Sequence, residues 1–527
     1  MKRTFIQENL PILLATITVL CFSSLPLWLG KSLENNDFIF RGAFYDTSDY
    51  SVHISMMQAG RMGDWTYQMR FTSEEHTAVF VRVFYILLGH VSGWLGLGVK
   101  TTYQLARWVF GVLALVSVFK LFQKIFGQNK LTWAAFWLAV FGSGVGWLQL
   151  LLGMPLEPIS PIDFWLIDAY LLFSISIFPS FSFTLALMAT ALRLFLEYVE
   201  GGKWSLIFWI SLSAVVSQIV NPIAFAVIDL TLAGMLSLTW WKNQKIDLKQ
   251  VFALGTIAAV QLPLLIYNLR VLQLDPVWSQ FTLQNETLSP PPLFYFWGFL
   301  LFWLFAIWGG VCAWREKNPT LVAMTFWAVS GFALAYAPVL IQRRFLLGIT
   351  IPLAALAVHG LSDLLALVGN QIEGWKKREA LVHFTYILLA SISALFFTLS
   401  SCLQVLSKPP TLFYPRDFAD AIQWLDENAK PNDIVFGSLI ASQIIAEETQ
   451  LKVYAGHPME TLNFEEKKLE VVNLYEGGNS SKWLSQTPVE WVIYGPYERE
   501  NGAGFTPSDN LIQVYQNNTV TVYQVMK

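Results

Sequence analysis

The segment "YDTSDYSVH" places Asp46, Asp49, Tyr50 and His53 together in a chain of 527 residues that is 54% hydrophobic and only 13% charged. Positions 46, 49, 50 and 53 follow the i, i+3, i+4, i+7 spacing, so a helix over them gathers all four polar groups on one face. Such a face can do proton chemistry. A carboxylate within hydrogen-bond reach of a hydroxyl can accept its proton, and desolvation at a membrane edge raises the carboxyl pKa and makes it a stronger base. Asp46 is the expected base and Asp49 its competitor, although Asp49 could equally cap a helix start. His53 could orient a carboxylate or act only as a structural hydrogen bonder. Tyr50 suits a substrate contact or an interface anchor.

Other polar groups stand out against the apolar background. Glu74, Glu75 and His76 form an acid-acid-imidazole run; Glu75 and His76 could hold a divalent cation together with Asp46, or the run could be plain solvated charge, since the ligand spacing of a dedicated metal site is absent. Arg343 and Arg344, in "IQRRFLLG", offer planar guanidinium groups suited to a lipid phosphate, with snorkelling to headgroups as the alternative; Arg270 is a weaker candidate for the same task. In "FGSGVGWLQLLLGMP" the glycines suggest a phosphate loop, but no Lys-Ser/Thr follows, and small residues in an apolar segment serve close helix approach. Asp163 and Asp168 could line an acceptor path or cap a short helix. His457 and Glu460 follow a strand-like segment, and nothing near them in sequence completes a catalytic set.

The elements that must position these groups are mostly apolar. Runs occur near 10–29, 79–99, 103–123, 131–152, 180–200, 204–220, 222–241, 250–269, 293–314, 320–341, 345–368 and 382–404. Several reach the roughly 20 residues that span a bilayer, so the chain reads as a polytopic, all-α membrane protein. If 79–99 lies in the outer interface rather than crossing, the loops with Lys120/Lys124/Lys130, Lys203, Lys242/Lys245/Lys249, Arg315/Lys317 and Lys376/Lys377/Arg378 all fall on the inside with the N-terminus. Asn221-Pro222 divides the stretch 204–241. About eleven spans follow. The outer side then carries the loop 31–102, a loop near 153–179, another near 270–292, and everything after 408. The first apolar stretch has only Lys2 and Arg3 before it and no small-residue cleavage site, so it reads as a retained span. A net charge of −3 gives no basic footprint for nucleic acid. Cys21, Cys312 and Cys402 all lie in apolar segments, as buried thiols do.

The chain divides, on this reading, into a membrane domain over 1–407 and a small α/β domain over 408–527. "RDFADAIQWLDENAK" predicts an amphipathic helix with Phe418, Ile422 and Leu425 on one face. "DIVFGS", "KVYAG" and "VEWVIYGP" predict short buried strands, and "LIQVYQNNTVTVYQV" predicts a hairpin turning at Asn517-Asn518.

A first outer loop that reads "YDTSDY", then "GRMGDWTY", then "FTSEEHTAVF", followed by an interfacial apolar run, resembles the GT-C superfamily of membrane glycosyltransferases, and in particular its bacterial dolichyl-phosphate-mannose protein mannosyltransferase and aminoarabinose transferase types. Asp46 and Tyr50 match a D-x-x-x-Y element, Gly63, Asp64 and Trp65 match G-D-W, and Glu74 and Glu75 stand where an acid-Pro-Pro pattern belongs; "EEHTA" departs from that pattern. The resemblance implies a GT-C-like helical bundle in a bacterial plasma membrane, N-terminus inside and C-terminal domain outside. It also implies transfer of a hexosyl or pentosyl group from a polyprenyl-phosphate donor to a glycan, lipid or protein acceptor among membrane lipids. Two rivals stand beside it: a transporter or flippase of lipid-linked intermediates, which would place its charges near the midplane, and a catalytically silent scaffold.

Overall fold

The computed structural model describes residues 5–153, 161–369, 378–477, 481–502 and 504–527. Lys2, Arg3, Lys376 and Lys377, on which part of the charge pattern rests, lie outside them. Five helices are long and apolar enough to cross a bilayer: Val99–Phe126, Pro179–Gly201, Ala224–Trp241, Leu248–Leu274 and Thr350–Gly369. Three helix pairs are bent at a short break: Asn9–Ser23 with Leu25–Ser32, Pro292–Gly298 with Leu300–Arg315, and Glu379–Ala390 with Ile392–Leu406. Counting each pair as one span raises the total to eight. By length and composition, then, the described residues supply five to eight spans, fewer than the eleven or so expected. The apolar runs are interrupted. Gly142 ends Lys130–Phe141 after 12 residues, Asn221 ends Ser205–Val220 after 16, and Pro319–Leu334 also has 16. At about 1.5 Å per residue these fall short of a hydrocarbon core about 30 Å thick. The run at 79–99 forms Val83–Leu95, 13 residues and likewise too short, with Trp94 and Leu95 exposed at its end.

Contacts divide the chain into two compact units, and the division does not fall at 408. One unit comprises 1–25, 106–267 and 287–400 and contains most of the apolar helices. Its helices approach closely at glycines: a Cβ on Gly309 would lie 1.9 Å from the Leu356 carbonyl oxygen, and one on Gly360 2.2 Å from that of Phe305. The glycines of "FGSGVGW" act in the same way, a Cβ on Gly144 meeting the Gly298 carbonyl at 2.4 Å.

The other unit comprises 26–105, 268–286 and 401–527, so the loop over 31–102 and the C-terminal segment form one body with a short piece from the middle of the chain. Strand β1 (Phe38–Phe40) pairs antiparallel with β2 (Phe413–Pro415). Five further strands, β3 (Ile434–Phe436), β4 (Lys452–Val453), β5 (Trp491–Tyr494), β6 (Leu511–Gln516) and β7 (Thr521–Val525), form a sheet in the order β4-β3-β5-β7-β6. β3 runs parallel to β4 and β5, while β7 is antiparallel to β5 and β6. β6 and β7 are the expected hairpin, whose turn is closed by a bond from the Asn517 amide to the Val520 carbonyl (3.0 Å). The expected amphipathic helix is present as Arg416–Asn428 and buries Phe418, Ala421, Ile422 and Leu425.

Beyond β4 the sheet edge is covered by residues 70–72 of the loop over 31–102. The Val453 amide donates to the Arg70 carbonyl (2.8 Å), and Thr72 bridges to Ala455. Covering an edge in this way satisfies backbone groups that would otherwise invite aggregation. Two helices of the loop, Thr47–Met62 and Val83–Leu95, cross at a glycine pair; a Cβ on Gly60 would lie 2.0 Å from the Ile86 carbonyl oxygen and one on Gly89 2.1 Å from that of Met57. No larger residue fits either position without moving a helix.

Candidate active site

Asp46 does not belong to the helix it introduces. The helix starts at Thr47, and Asp46 is its N-cap, with φ 45° and ψ 59° in the left-handed region. That conformation is rare for a residue with a Cβ and costs on the order of 1 kcal/mol, least for Asp and Asn. Its carboxylate accepts from the Asp49 amide (3.3 Å), which satisfies an end-of-helix donor. The cap role thus falls to Asp46 rather than to Asp49. The helix dipole favours negative charge at this spot, and both carboxylates are half-buried.

Of residues 46, 49, 50 and 53, Asp46 lies outside the helix, and the other three side chains each meet a different partner. Asp49 Oδ1 lies 3.1 Å from His457 Nε2. Tyr50 is buried, donates its hydroxyl to the Arg41 carbonyl (3.2 Å) and is held protonated by burial, so it is neither an interface anchor nor open to a substrate. His53 stacks on Tyr85 with ring centroids 3.9 Å apart. Sequence reasoning set His457 aside for want of a partner; its partner stands 408 residues earlier.

The next turn of the same helix meets buried charge. Arg41 and Glu447, both fully buried, form an ion pair, and Ser51 donates to Glu447 Oε1 (2.8 Å). Arg41 Nη1 also donates to the Thr411 carbonyl (2.9 Å). Lys100 pairs with Glu448 and stands 3.7 Å from Glu447 Oε2, and the Tyr414 hydroxyl donates to Glu448 Oε1 (3.0 Å). Adjacent acids in the otherwise apolar helix Leu439–Glu448 were the available sequence signal for this cluster.

Residues 67–82 of the loop are likewise tied to the C-terminal segment. Glu74 accepts from Lys467 Nζ at 2.7 and 2.9 Å and from the Thr72 hydroxyl. Burial opposes the Glu74 charge, but these bonds outweigh it and hold the carboxyl below its ordinary range. His76 Nε2 accepts from the Met69 amide (2.9 Å) while Nδ1 meets the Glu74 carbonyl (2.8 Å), so both ring nitrogens are occupied; burial lowers its pKa. Glu75 is exposed. The expected cation site of Asp46, Glu75 and His76 is therefore not assembled, and among the described residues no three acidic, histidine or cysteine side chains gather to hold an ion. Glu460, fully buried, accepts from the Tyr67 hydroxyl and from Arg82 Nη1 (2.8 Å). Asp275 caps Pro276–Gln284 and accepts from the Thr77 amide and hydroxyl, while Trp278 Nε1 donates to the Thr77 carbonyl (2.8 Å). Arg270 is exposed within Leu248–Leu274, a helix that extends into what the sequence marks as a loop. In the G-D-W element Gly63 is a left-handed C-cap (φ 110°), and Trp65 stacks on His90 at 4.0 Å.

The remaining candidates lie in the helix-rich unit. Arg343 and Arg344 are half-buried on a single 3-10 turn, Gln342–Leu346. The Arg343 guanidinium lies over the Trp165 ring (5.1 Å), and its backbone amide donates to the Thr287 carbonyl (3.0 Å). Asp163 is buried and accepts from the Gly146 amide (3.0 Å); burial, against these bonds, pushes it up to about 6. An acid facing that amide is incompatible with a phosphate loop there. Asp168 is buried beside it in sequence, and its carbonyl accepts from the Gly348 amide (2.8 Å).

No family model matches the sequence and no curated protein matches it; the likeness is in the structure. ArnT from Cupriavidus metallidurans in the apo state superposes with a TM-score of 0.52 at 12% identity, over 97% of this chain and 98% of that one. The Archaeoglobus fulgidus oligosaccharyltransferase AglB, in complex with an inhibitory peptide and a dolichol-phosphate, gives 0.52 at 13% identity over 93% and 70%. The mycobacterial arabinofuranosyltransferase AftD gives 0.50 at 13% over 96% of this chain and 41% of that one. All three are GT-C membrane glycosyltransferases, and this chain has their fold.

Proposed function

We propose that the protein is an integral membrane glycosyltransferase that moves a sugar from a polyprenyl-phosphate donor to an acceptor hydroxyl on the extracytoplasmic side. The observation that carries this reading is a strained, left-handed Asp46 with Asp49 one turn on, both half-buried at a helix N-terminus, in a chain of GT-C fold. Strain of this kind is retained where the surrounding structure gains something by it. The AglB structure with dolichol-phosphate supports a lipid-phosphate donor by analogy of fold.

In the reaction, the acceptor oxygen forms a bond to the anomeric carbon as the bond from that carbon to the phosphate oxygen breaks. The electron pair leaves on the lipid phosphate, and the acceptor proton passes to Asp46, with Asp49 as the neighbouring carboxylate. The protein need only position the base and place positive charge on the leaving phosphate. Arg343 and Arg344 are the guanidinium groups whose chemistry suits that phosphate. Arg270 is a further cation for the same lipid. Loop charges assign the N-terminus to the inside and the C-terminal segment to the outside.

The test is transfer by purified protein in liposomes containing polyprenyl-phosphate sugars, with product followed by mass spectrometry. Transfer that fails in Asp46→Asn supports the reading. Movement of labelled lipid across the bilayer without transfer would replace it with the flippase.

A further inference from the structure

The reading above leaves His457 without a task, although it is 4% exposed and its ring is fixed from every side. Nδ1 accepts from the Met459 and Glu460 amides, each at 3.1 Å. A nitrogen facing two N–H groups must carry its lone pair, so the hydrogen sits on Nε2, which donates to Asp49 Oδ1 at 3.1 Å. The backbone around the ring is also fixed: the His457 amide donates to Thr461 Oγ1 (3.2 Å), whose hydroxyl donates to the Phe71 carbonyl (2.6 Å). The edge of the ring stands against Phe71, with centroids 5.9 Å apart.

We propose that His457 is a positioning residue for transfer: a neutral imidazole, locked as the Nε2–H tautomer by the turn after β4, that fixes the Asp49 carboxylate and through it the start of the helix that Asp46 caps. The proposal rests on the glycosyltransferase reading, and it extends the reaction site into the C-terminal segment. The relay is short. His457 holds the Asp49 side chain, the Asp49 amide holds the Asp46 side chain, and both carboxylates are thereby kept from swinging toward solvent. An error of about 1 Å in such a group is enough to cost about 10²-fold in rate.

Three versions of the full-length protein separate this from a packing role: wild type, His457→Phe and His457→Gln. Phe fills the space without a donor, whereas Gln returns an N–H near the position of Nε2. We expect His457→Phe to lower kcat by about 10-fold to 10²-fold with the donor KM little changed, because the loss falls on orientation rather than on binding. His457→Gln should recover a large part of the rate, while melting temperatures show both variants folded. Equal loss in Phe and Gln, tracking equal loss of melting temperature, overturns the proposal in favour of packing. An active wild type with His457→Phe equally active also overturns it and leaves the glycosyltransferase reading intact. Imidazole ¹⁵N shifts, assigned by difference from His457→Gln, should show a neutral ring protonated on Nε2; protonation on Nδ1 overturns the proposal independently of any activity. A wild type inert toward polyprenyl-phosphate sugars removes the function reading and the proposal with it.

Discussion

One helix, Thr47–Met62, carries two opposite treatments of charge. At Ser51 it meets a closed cluster in which Arg41 and Glu447 are sealed from solvent and answered by each other. At Asp46 and Asp49 it offers carboxylates that are only half covered, one accepting from a backbone amide and the other meeting the His457 imidazole. Paired charge deep in a protein fixes geometry, and removing one partner strands the other. Carboxylates held in place but left reachable can still exchange a proton. The difference teaches where to look for chemistry: in the charge that is oriented and still half-exposed.

The contrast is most severely tested at its closed end. Arg41→Met should cost about 3–5 kcal/mol, since it leaves Glu447 buried without its main partner. Thermal melting in detergent would show this as a large drop or as failure to fold; a variant as stable as wild type would deny that the cluster holds the unit together.

At the open end Asp46→Asn should do the reverse. Asn caps a helix and tolerates the left-handed region as well as Asp does, so melting should be unchanged. Transfer should fall by about 10²-fold or more, equivalent to about 2.7 kcal/mol of barrier. Asp49→Asn should do less. Full activity in the Asp46 variant would sink the proposed base.

The arginines of the helix-rich unit sharpen the same idea for cations. Replacing Arg343 or Arg344 with Ala should raise the apparent donor KM by about tenfold, the worth of a charged hydrogen bond of about 1.5 kcal/mol. Lys should rescue only in part, because it keeps the charge and loses the planar fork. Headgroup snorkelling predicts full rescue by Lys, which titration against donor concentration would reveal.

The smallest effect belongs to His76. Burial holds its folded pKa below the ordinary 6.5, so the unfolded chain binds the proton first as pH falls; the stability this gives is present above about 6.5 and is lost below it. Melting of the wild type should drop by less than about 1 kcal/mol relative to His76→Gln between about pH 7.5 and about pH 5.5. No difference between the two proteins would mean that the ring bonds of His76 carry no net stability.

What the sequence discloses is local. β3, β5 and the β6–β7 hairpin are legible because β-branched and aromatic runs end at Gly, Asp and Asn, and the helix at 416–428 because Phe418, Ile422 and Leu425 repeat at its period. Asp46 and Asp49 are legible as acids in an apolar chain. Their geometry is not, since nothing in "YDTSDYSVH" says that the helix begins after Asp46 and not before it. Apolar runs do not show where a helix stops: Lys130–Phe141, Ser205–Val220 and Pro319–Leu334 are apolar yet end after 12, 16 and 16 residues. Least visible are the pairings across the chain. Asp49 with His457, Arg41 with Glu447 and Glu74 with Lys467 obey no spacing rule, because their distances are set by the tertiary fold alone.

The ladder between β1 and β2 bears on how such a protein is born. Phe38 to Phe40 cannot find Phe413 to Pro415 until the long intervening stretch has been synthesised, and pairing across such a separation is slow even once both strands exist. Until then Asp49 lacks the His457 imidazole and Arg41 lacks the Glu447 carboxylate that meet them in the fold. A lesion in the segment that carries β2 and His457 is therefore felt at Asp49 as well.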